Sequence, residues 1–386
     1  MKHICFVSLH PRYISGGAEN QTLITARGFV KSGWKVSFIT PEINPIQHNI
    51  NDPEIEIYTF PLLHKFSGKT VFMLSWLYML FDFWKIVKEI NADVYYLGLA
   101  FYQIGLLARF CRKNNKILLW MIASQGDPDP VEVEKSFIES RPYGISKLNV
   151  FVNSIRNFFS IELFKYGVRN TDIILAQNNL QKEAIKRIWN KECFIVYNPW
   201  VPLIDRIPDK DNTIVWVGNC RPIKRPEFFC YAAGMLRHLK ARFLLIGSQY
   251  PFNEDQEALY NLMKDTGVEY IGYVPLILSE EYIAKAKIIV NTSESEGFPN
   301  TFIQAWLYET GVVSMNADPD MLLSERGFGL LGDTTEKLAE NIKILFENES
   351  LRKEITNKAR IFAQCETDQM HVVNKIKDII GSCKKK

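Results

Sequence analysis

Short runs of β-branched and aromatic residues recur along this chain. Between them, apolar residues return at the three- and four-residue spacing of a helix face. In the first half the runs fall at residues 4–8, 35–40, 94–97, 117–122, 173–176 and 194–196, separated by helical stretches at 19–31, 72–90, 102–113, 150–166 and 180–189. A second series begins near residue 213, where runs at 214–217, 243–246, 270–271, 288–291 and 312–315 alternate with helical stretches at 226–239, 255–266, 278–286, 301–308 and 335–348. The runs are short and almost uniformly apolar, as strands buried on both faces are. The alternation predicts an α/β chain with two doubly wound, Rossmann-like parallel sheets.

The two series meet at Tyr197-Asn198-Pro199-Trp200-Val201-Pro202, followed by a polar stretch at 205–212. Two prolines and a run of charge between strand-rich halves mark a linker. The expected domains are therefore 1–199 and 200–365, with a C-terminal helix in 366–386 for which packing back on the first domain is one option. A length of 386 residues agrees with two domains. Two such domains leave a cleft, a common place for ligands. This architecture alone admits a dehydrogenase, a sugar-nucleotide enzyme or a binding protein.

Composition narrows the partners. A hydrophobic content of 47% supplies two cores, and a net charge of +3 gives no support for bulk nucleic-acid binding. Lys384-Lys385-Lys386 reads either as a solvated end or as a weak attraction to anionic lipid. The seven cysteines show no C-x-x-C spacing, and their odd number fits no closed disulfide framework. Reduced, mostly buried thiols point to the cytoplasm. The apolar run near Met1 is too short for a signal-peptide core, and no window has the length of a membrane span.

The densest chemistry lies in Ser293-Glu294-Ser295-Glu296-Gly297-Phe298-Pro299-Asn300-Thr301-Phe302-Ile303-Gln304-Ala305-Trp306. It runs from the end of an expected strand into an expected helix, the edge at which open α/β sheets bind ligands. Backbone N–H groups at a helix start suit a phosphate, and a carboxylate beside them accepts from sugar hydroxyls. Gly218-Asn219-Cys220-Arg221-Pro222-Ile223-Lys224-Arg225 follows the first strand of the same sheet. Lys224 and Arg221 are candidates for clamping a diphosphate, and Arg225 is expected to be a solvated flank. Gly247-Ser248-Gln249 and Gly272-Tyr273-Val274-Pro275 end two further strands. The first borders a diphosphate or makes a plain turn, and the second offers a floor for a nucleobase. Near the N-terminus, Ser15-Gly16-Gly17-Ala18-Glu19 joins the first strand to the first helix without a dinucleotide fingerprint. It reads either as a close backbone approach to a ligand or as a tight turn.

Taken in order, Gly16-Gly17-Ala18-Glu19, Gly33-Trp34-Lys35-Val36, Gly218 with Lys224, Gly272-Tyr273-Val274 and Glu296-Gly297-Phe298-Pro299-Asn300 resemble the motifs of family 4 (group 1) retaining glycosyltransferases of the GT-B fold. The resemblance spans residues 1 to about 333, and its most specific part is the Glu-Gly-Phe-Pro-Asn element. It implies two Rossmann-like domains facing a central cleft, the first for the acceptor and the second for a nucleotide-sugar donor. It implies that Glu296 binds the donor sugar and that the backbone of Gly297, Phe298, Pro299, Asn300 and Thr301 meets sugar and diphosphate. Gly16, Gly17, Gly218, Asn219 and Val274 complete the expected donor site. The family's second glutamate, which holds ribose, is matched by Gln304, an uncharged amide. Its usual arginine is matched by Asn219, with Arg221 as the substitute. A histidine common after the fourth strand is absent from Trp120-Met121-Ile122-Ala123-Ser124-Gln125-Gly126-Asp127, which leaves Asp127 either as a substrate contact or as a turn aspartate. His10 follows the first strand and is a candidate for lining the cleft. The other histidines show no pairing that suggests a metal or a triad.

The resemblance implies transfer of a sugar without cofactor or metal, the cations and helix start stabilising the departing diphosphate. The acceptor expected is a glycan or a lipid-linked saccharide in cell-surface polysaccharide synthesis. The apolar stretch from Val71 to Trp84, followed by Lys85 and Lys88, reads as a buried helix or as a face for peripheral contact with the inner side of the membrane. A nucleotide-sugar 2-epimerase and a non-catalytic nucleotide-sugar-binding subunit are the alternatives.

Overall fold

The computed structural model describes residues 1–10, 16–42, 52–61, 71–98, 102–139, 147–248 and 254–383. Ser15, Gln249, His48, His64 and the three terminal lysines lie outside the described residues. The chain forms two compact units, Met1–Pro199 with Gln369–Lys386, and Trp200–Asp368.

The first unit contains β1 (His3–Val7), α1 (Gly17–Lys31), β2 (Lys35–Glu42), β3 (Ile55–Pro61), α2 (Val71–Ile90), β4 (Val94–Leu97), α3 (Gln103–Asn114), β5 (Ile117–Met121), α4 (Pro130–Glu139), α5 (Lys147–Arg169), β6 (Ile173–Ala176), α6 (Asn179–Trp189) and β7 (Phe194–Ile195). Its seven strands are parallel and run in the order β3-β2-β1-β4-β5-β6-β7. Alternate residues of β1 feed two cores: Cys5 and Val7 join one face, Ile4 and Phe6 the other. That division follows from the two-residue period of a strand.

The second unit contains β8 (Thr213–Val217), α7 (Pro226–Met235), β9 (Arg242–Ile246), α8 (Glu254–Thr266), β10 (Glu269–Gly272), α9 (Leu276–Lys285), β11 (Ile288–Asn291), α10 (Asn300–Leu307), β12 (Gly311–Ser314), β13 (Leu330–Leu331), α11 (Thr335–Glu347) and α12 (Glu349–Glu366). Its strand order, β10-β9-β8-β11-β12-β13, is again all parallel. This is the doubly wound order in which the chain reverses direction across the sheet between β8 and β11. Trp306 of α10 is fully buried among Phe298, Phe302, Phe328 and Phe362, and its indole N–H donates to the Phe328 carbonyl at 3.0 Å.

The last helix, α13 (Gln369–Ser382), belongs to the first unit. Val372, Val373, Ile376 and Ile380 enter the same core as Ile4 and Phe6. The Gln369 amide donates to the Ile24 carbonyl at 2.6 Å and accepts from Lys31 Nζ at 2.7 Å, which seats the helix on α1. The chain leaves the second unit after Asp368, three residues beyond the expected border at 365.

Four elements escaped the sequence patterns: β3, α4, α12 and the two-residue β13. In β3, an edge strand, Ile55 and Phe60 are buried while Glu56 and Thr59 are exposed, so no continuous apolar run marks it. The stripe of α12 is broken by Arg352, which is nonetheless buried. Its guanidinium donates to the Leu345 carbonyl at 2.7 Å, supplying a cation at the end of α11.

Candidate functional site

Lys224 and Glu296 follow the two neighbouring strands at the reversal point of the second sheet. β8 and β11 pair in register, Ile288 with Ile214 and Val290 with Trp216, so the loops that leave their C-terminal ends lie side by side. After β8 the chain passes Gly218 and Asn219 into a 3-10 turn, Pro222–Lys224. Arg225 then adopts a left-handed conformation (φ 45°), and Pro226 opens α7. After β11, Asn291 to Pro299 lead into α10, whose start has no side-chain cap and no acidic residue in its first turn.

Thr292, fully buried, locks the two loops together. Its hydroxyl accepts from Trp216 Nε1 at 2.9 Å and donates to the Lys224 carbonyl at 2.8 Å. Its carbonyl accepts from Arg225 Nε at 3.2 Å. The Glu294 N–H adds a bond to the Ile223 carbonyl at 2.9 Å. Arg225 also lies over the Phe228 ring, 4.9 Å from its centroid. It is therefore a brace between loops, not the solvated flank expected. Its partners come from distant segments, so local charge spacing carries no trace of them. Thr292 was likewise missed; a polar residue directly after an apolar strand is its only signal in the sequence.

The braced loops bring Lys224 Nζ onto Glu296 Oε1. The same oxygen accepts from Ser293 Oγ at 2.6 Å and from Asn291 Nδ2 at 3.5 Å. The two side chains keep 30% and 15% of their accessible surface. Among the described residues no donor is recorded on Glu296 Oε2, so one oxygen is held by protein and the other stays open to a ligand hydroxyl.

The remaining candidates in this unit divide by what their side chains touch. Phe298 and Pro299 are buried, and the Pro299 carbonyl accepts from Phe302 N at 3.0 Å. Arg221 is exposed, and its guanidinium makes no recorded bond among the described residues. Asn219 Oδ1 accepts from Ser248 Oγ at 2.9 Å. Gly218 and Gly247 touch backbone to backbone, for a Cβ on Gly247 would lie 1.6 Å from the Gly218 oxygen. Val274 is half-buried, next to an exposed Tyr273, just past β10. Gln304 is almost fully buried on α10.

In the first unit, Gly16 caps α1 in extended backbone, and the Glu19 carboxylate folds back against it, 2.2 Å from where a Gly16 Cβ would stand. An anion already sits at this helix start, which makes it a poor seat for a second. Gly17 opens the helix and is exposed. Asp127 accepts from Ala123 N (2.8 Å), Ser124 N (3.0 Å) and Ser124 Oγ (2.5 Å). Burial pushes its carboxyl above the ordinary value, and the Ser124 and Ala123 bonds oppose that. Both oxygens are engaged inside the turn, which is the turn-aspartate arrangement. His10 is fully buried edge-on to Phe38, in the core and not on a cleft. At the C-terminal edge of this sheet a small recess is lined by Thr22, Gly98, Ala123, Gln177 and Asn198. Gln177 Nε2 donates to Asn198 Oδ1 at 2.9 Å, while its buried oxygen takes no protein bond.

Asp-x-Asp triplets occur at 127–129, 209–211 and 318–320. Each has a structural user: Asp129 accepts from Val131 N, Asp211 from Thr213 Oγ1, and Asp318 from Leu323 N and Ser324. Among the described residues no three His, Cys, Asp or Glu side chains gather in a metal-ligating group. No helix among them is long and apolar enough to cross a membrane.

Residues 211–348, which hold Lys224, Glu296 and the loops that carry them, match the family model described as Glycosyl transferases group 1. An uncharacterized glycosyltransferase of Haemophilus influenzae is 21% identical over 360 residues, covering 91% of this chain and 92% of its own. HepE of Anabaena, solved with UDP and glucose, aligns with 99% of this chain and 100% of its own, at 16% identity and a TM-score of 0.71. Sucrose-phosphate synthase of Thermosynechococcus elongatus aligns with 99% of this chain and 98% of its own, at 15% identity and a TM-score of 0.73. Residues 211–348 thus belong to the group 1 glycosyl transferases, within a chain of the GT-B fold.

Proposed function

We propose that this chain transfers a sugar from a nucleotide-diphosphate sugar to a glycan or lipid-linked acceptor, with retention of configuration and without a metal ion, in cell-surface polysaccharide synthesis. The observation that carries this reading is the Glu296 carboxylate, one oxygen held by Lys224 and Ser293 and the other open, beside the start of α10. Glu296 Oε2 accepts from a sugar hydroxyl, while Lys224 turns to the diphosphate and Arg221 supplies a second cation. Stabilising charge that grows as the diphosphate departs is the main catalytic task. The acceptor oxygen forms its bond to the anomeric carbon as the carbon–phosphate-oxygen bond breaks, and the hydroxyl proton passes to the leaving phosphate.

UDP is the first nucleotide to test, because HepE was solved with it. At a hundredfold excess over its Kd a ligand that binds only folded protein adds about 2.7 kcal/mol of stability, read as a rise in Tm. UDP or another nucleoside diphosphate is expected to raise Tm with EDTA present. Proton NMR of the product is expected to show the donor's anomeric configuration. No stabilisation by any nucleoside diphosphate, or an inverted product, overturns the reading.

The exposed face of α2 favours peripheral contact with a membrane. Trp76, Met79, Phe83 and Val87 are buried, which fits the buried-helix expectation for that side. Leu77, Tyr78 and Phe81 are exposed on the other, where Lys85 and Lys88 recur at helical spacing. An apolar stripe with cations suits an anionic lipid surface. Co-sedimentation with vesicles rich in anionic lipid is expected for the wild type and is expected to fall sharply for Leu77→Ser/Phe81→Ser. Equal sedimentation of both proteins removes the membrane contact from the proposal.

A further inference from the structure

The strand order of the first sheet reverses between β1 and β4. An open α/β sheet takes its ligand at such a reversal point, outside the C-terminal ends of the strands. In this chain the recess at that edge is lined by Thr22 and Thr25 of α1, Gly98 after β4, Gln177 after β6, Asn198 after β7 and Ile376 of α13. Its volume is about 20 Å³. One ordered water needs about 10–15 Å³, whereas pockets for drug-sized ligands run to about 300 Å³ and more. None of the described residues that line it is charged. Gln177 is 5% exposed, and its Nε2 donates to Asn198 Oδ1 at 2.9 Å. Its backbone N–H donates to Gln181 Oε1 at 2.7 Å, so the residue is held from both sides. Its Oε1 is buried without a protein donor. The Thr22 hydroxyl gives its proton to the Ala18 carbonyl at 2.9 Å, and the Thr25 hydroxyl gives its own to the Gln21 carbonyl at 2.8 Å. Both oxygens keep lone pairs. Gly98 leaves room beside Thr22 Oγ1, for a Cβ there would stand 2.7 Å from that oxygen.

We infer that the reversal point of the first sheet holds one ordered water, which donates to Gln177 Oε1 and to Thr22 Oγ1 and fills the place where sheets of this order take a ligand. An amide oxygen buried without a donor carries its full desolvation cost, and a bridging water removes it. The occupant must bring two protons. Water has two, an alcohol group has one and an unprotonated anion has none. A cation would find no carboxylate among the described lining residues. Val372 and Ile376 of α13, both almost fully buried, form the apolar wall that keeps the recess small. The last helix of the chain thus turns a ligand edge into a water-sized compartment. The water also backs the Gln177–Asn198 bond, which ties the end of β6 to the segment that leaves the unit. This goes beyond the proposed function and does not depend on it.

Two measurements test it. A crystal structure of the wild type, from crystals grown and cooled without alcohols or glycols, is expected to show a single oxygen within about 2.7–3.2 Å of both Gln177 Oε1 and Thr22 Oγ1. A recess without density, or density larger than one atom, overturns the inference. The second measurement is the Tm of Thr22→Val, which keeps the shape of the side chain and removes one acceptor. Valine and threonine have similar helix propensities, and the bond given up to Ala18, one turn back, is of a kind that slightly destabilises a helix. With water in the recess, the variant leaves that water short of a partner, and Tm is expected to fall by roughly 2–4 °C. A dry recess accepts the valine without loss. A Tm equal to or above that of the wild type therefore overturns the inference.

Discussion

Lys224→Ala is expected to lower kcat/KM for sugar transfer by about 10²–10³-fold, the size of effect seen when one donor to a developing oxyanion is removed. Glu296→Gln is expected to cost roughly 10–100-fold, since it trades a charged acceptor of a sugar hydroxyl for a neutral one. Neither change should disturb the fold. The Lys224–Glu296 pair keeps part of its surface exposed, and pairs of that kind contribute about 1 kcal/mol or less. The bonds that hold the loops run through Thr292, Arg225 and backbone carbonyls, and they stay in place in both variants. The contrast between a large kinetic loss and a small stability change separates a functional from a structural pair. Steady-state kinetics with a thermal melt of each variant checks it. Variants that retain half of the wild-type rate would remove this site from the chemistry, and a matching collapse of Tm would assign the pair to the fold.

Gly247→Ala is expected to be the most destabilising of the single changes considered, with a loss of more than about 3 kcal/mol. Two effects add. The backbone there has φ 149°, a conformation side chains rarely adopt, which costs on the order of 1–3 kcal/mol. The new Cβ would also stand 1.6 Å from the Gly218 oxygen, a backbone atom that cannot swing away as a side chain does. Gly218 N is bonded to the Ile246 carbonyl at 3.0 Å and Gly247 N to the Gly272 carbonyl at 2.9 Å, so relief of the clash must part β8, β9 and β10 at their C-terminal ends. For a unit of this size each kcal/mol shifts Tm by roughly 2–4 °C, so a drop of at least about 6 °C is expected in a calorimetric scan. The neighbouring Ser248→Ala removes a single exposed bond to Asn219 and serves as the control, with a shift near zero.

The strands buried on both faces were legible because such strands are apolar without interruption. β1, β4, β5, β6, β8, β9, β11 and β12 all fall on runs visible in the amino-acid order. β3 was not, because an edge strand alternates, and neither was α12, whose charges include a buried arginine. The positions of Lys224 and Glu296 at strand ends were legible from the motifs around them. The roles of Arg225 and Asp127 were misread or left open for one reason: a charged side chain gives no local sign of whether its partner is water or a carbonyl. Arg225 reaches Thr292, 67 residues on, whereas Asp127 turns back on residues three and four before it.

The amino-acid order by itself therefore determined two parallel α/β sheets, their border near Pro199, and a glycine-rich, acid-bearing edge on the second. These depend on contiguous hydrophobicity and on turn residues, which act within a few positions. Only the tertiary structure decided which charges meet. Lys224 and Glu296 are 72 residues apart, and the strand order that puts β8 beside β11 brings them onto one carboxylate oxygen. Pairing of polar groups in a buried site depends on geometry over several ångströms, and that geometry exists only once the sheets have assembled.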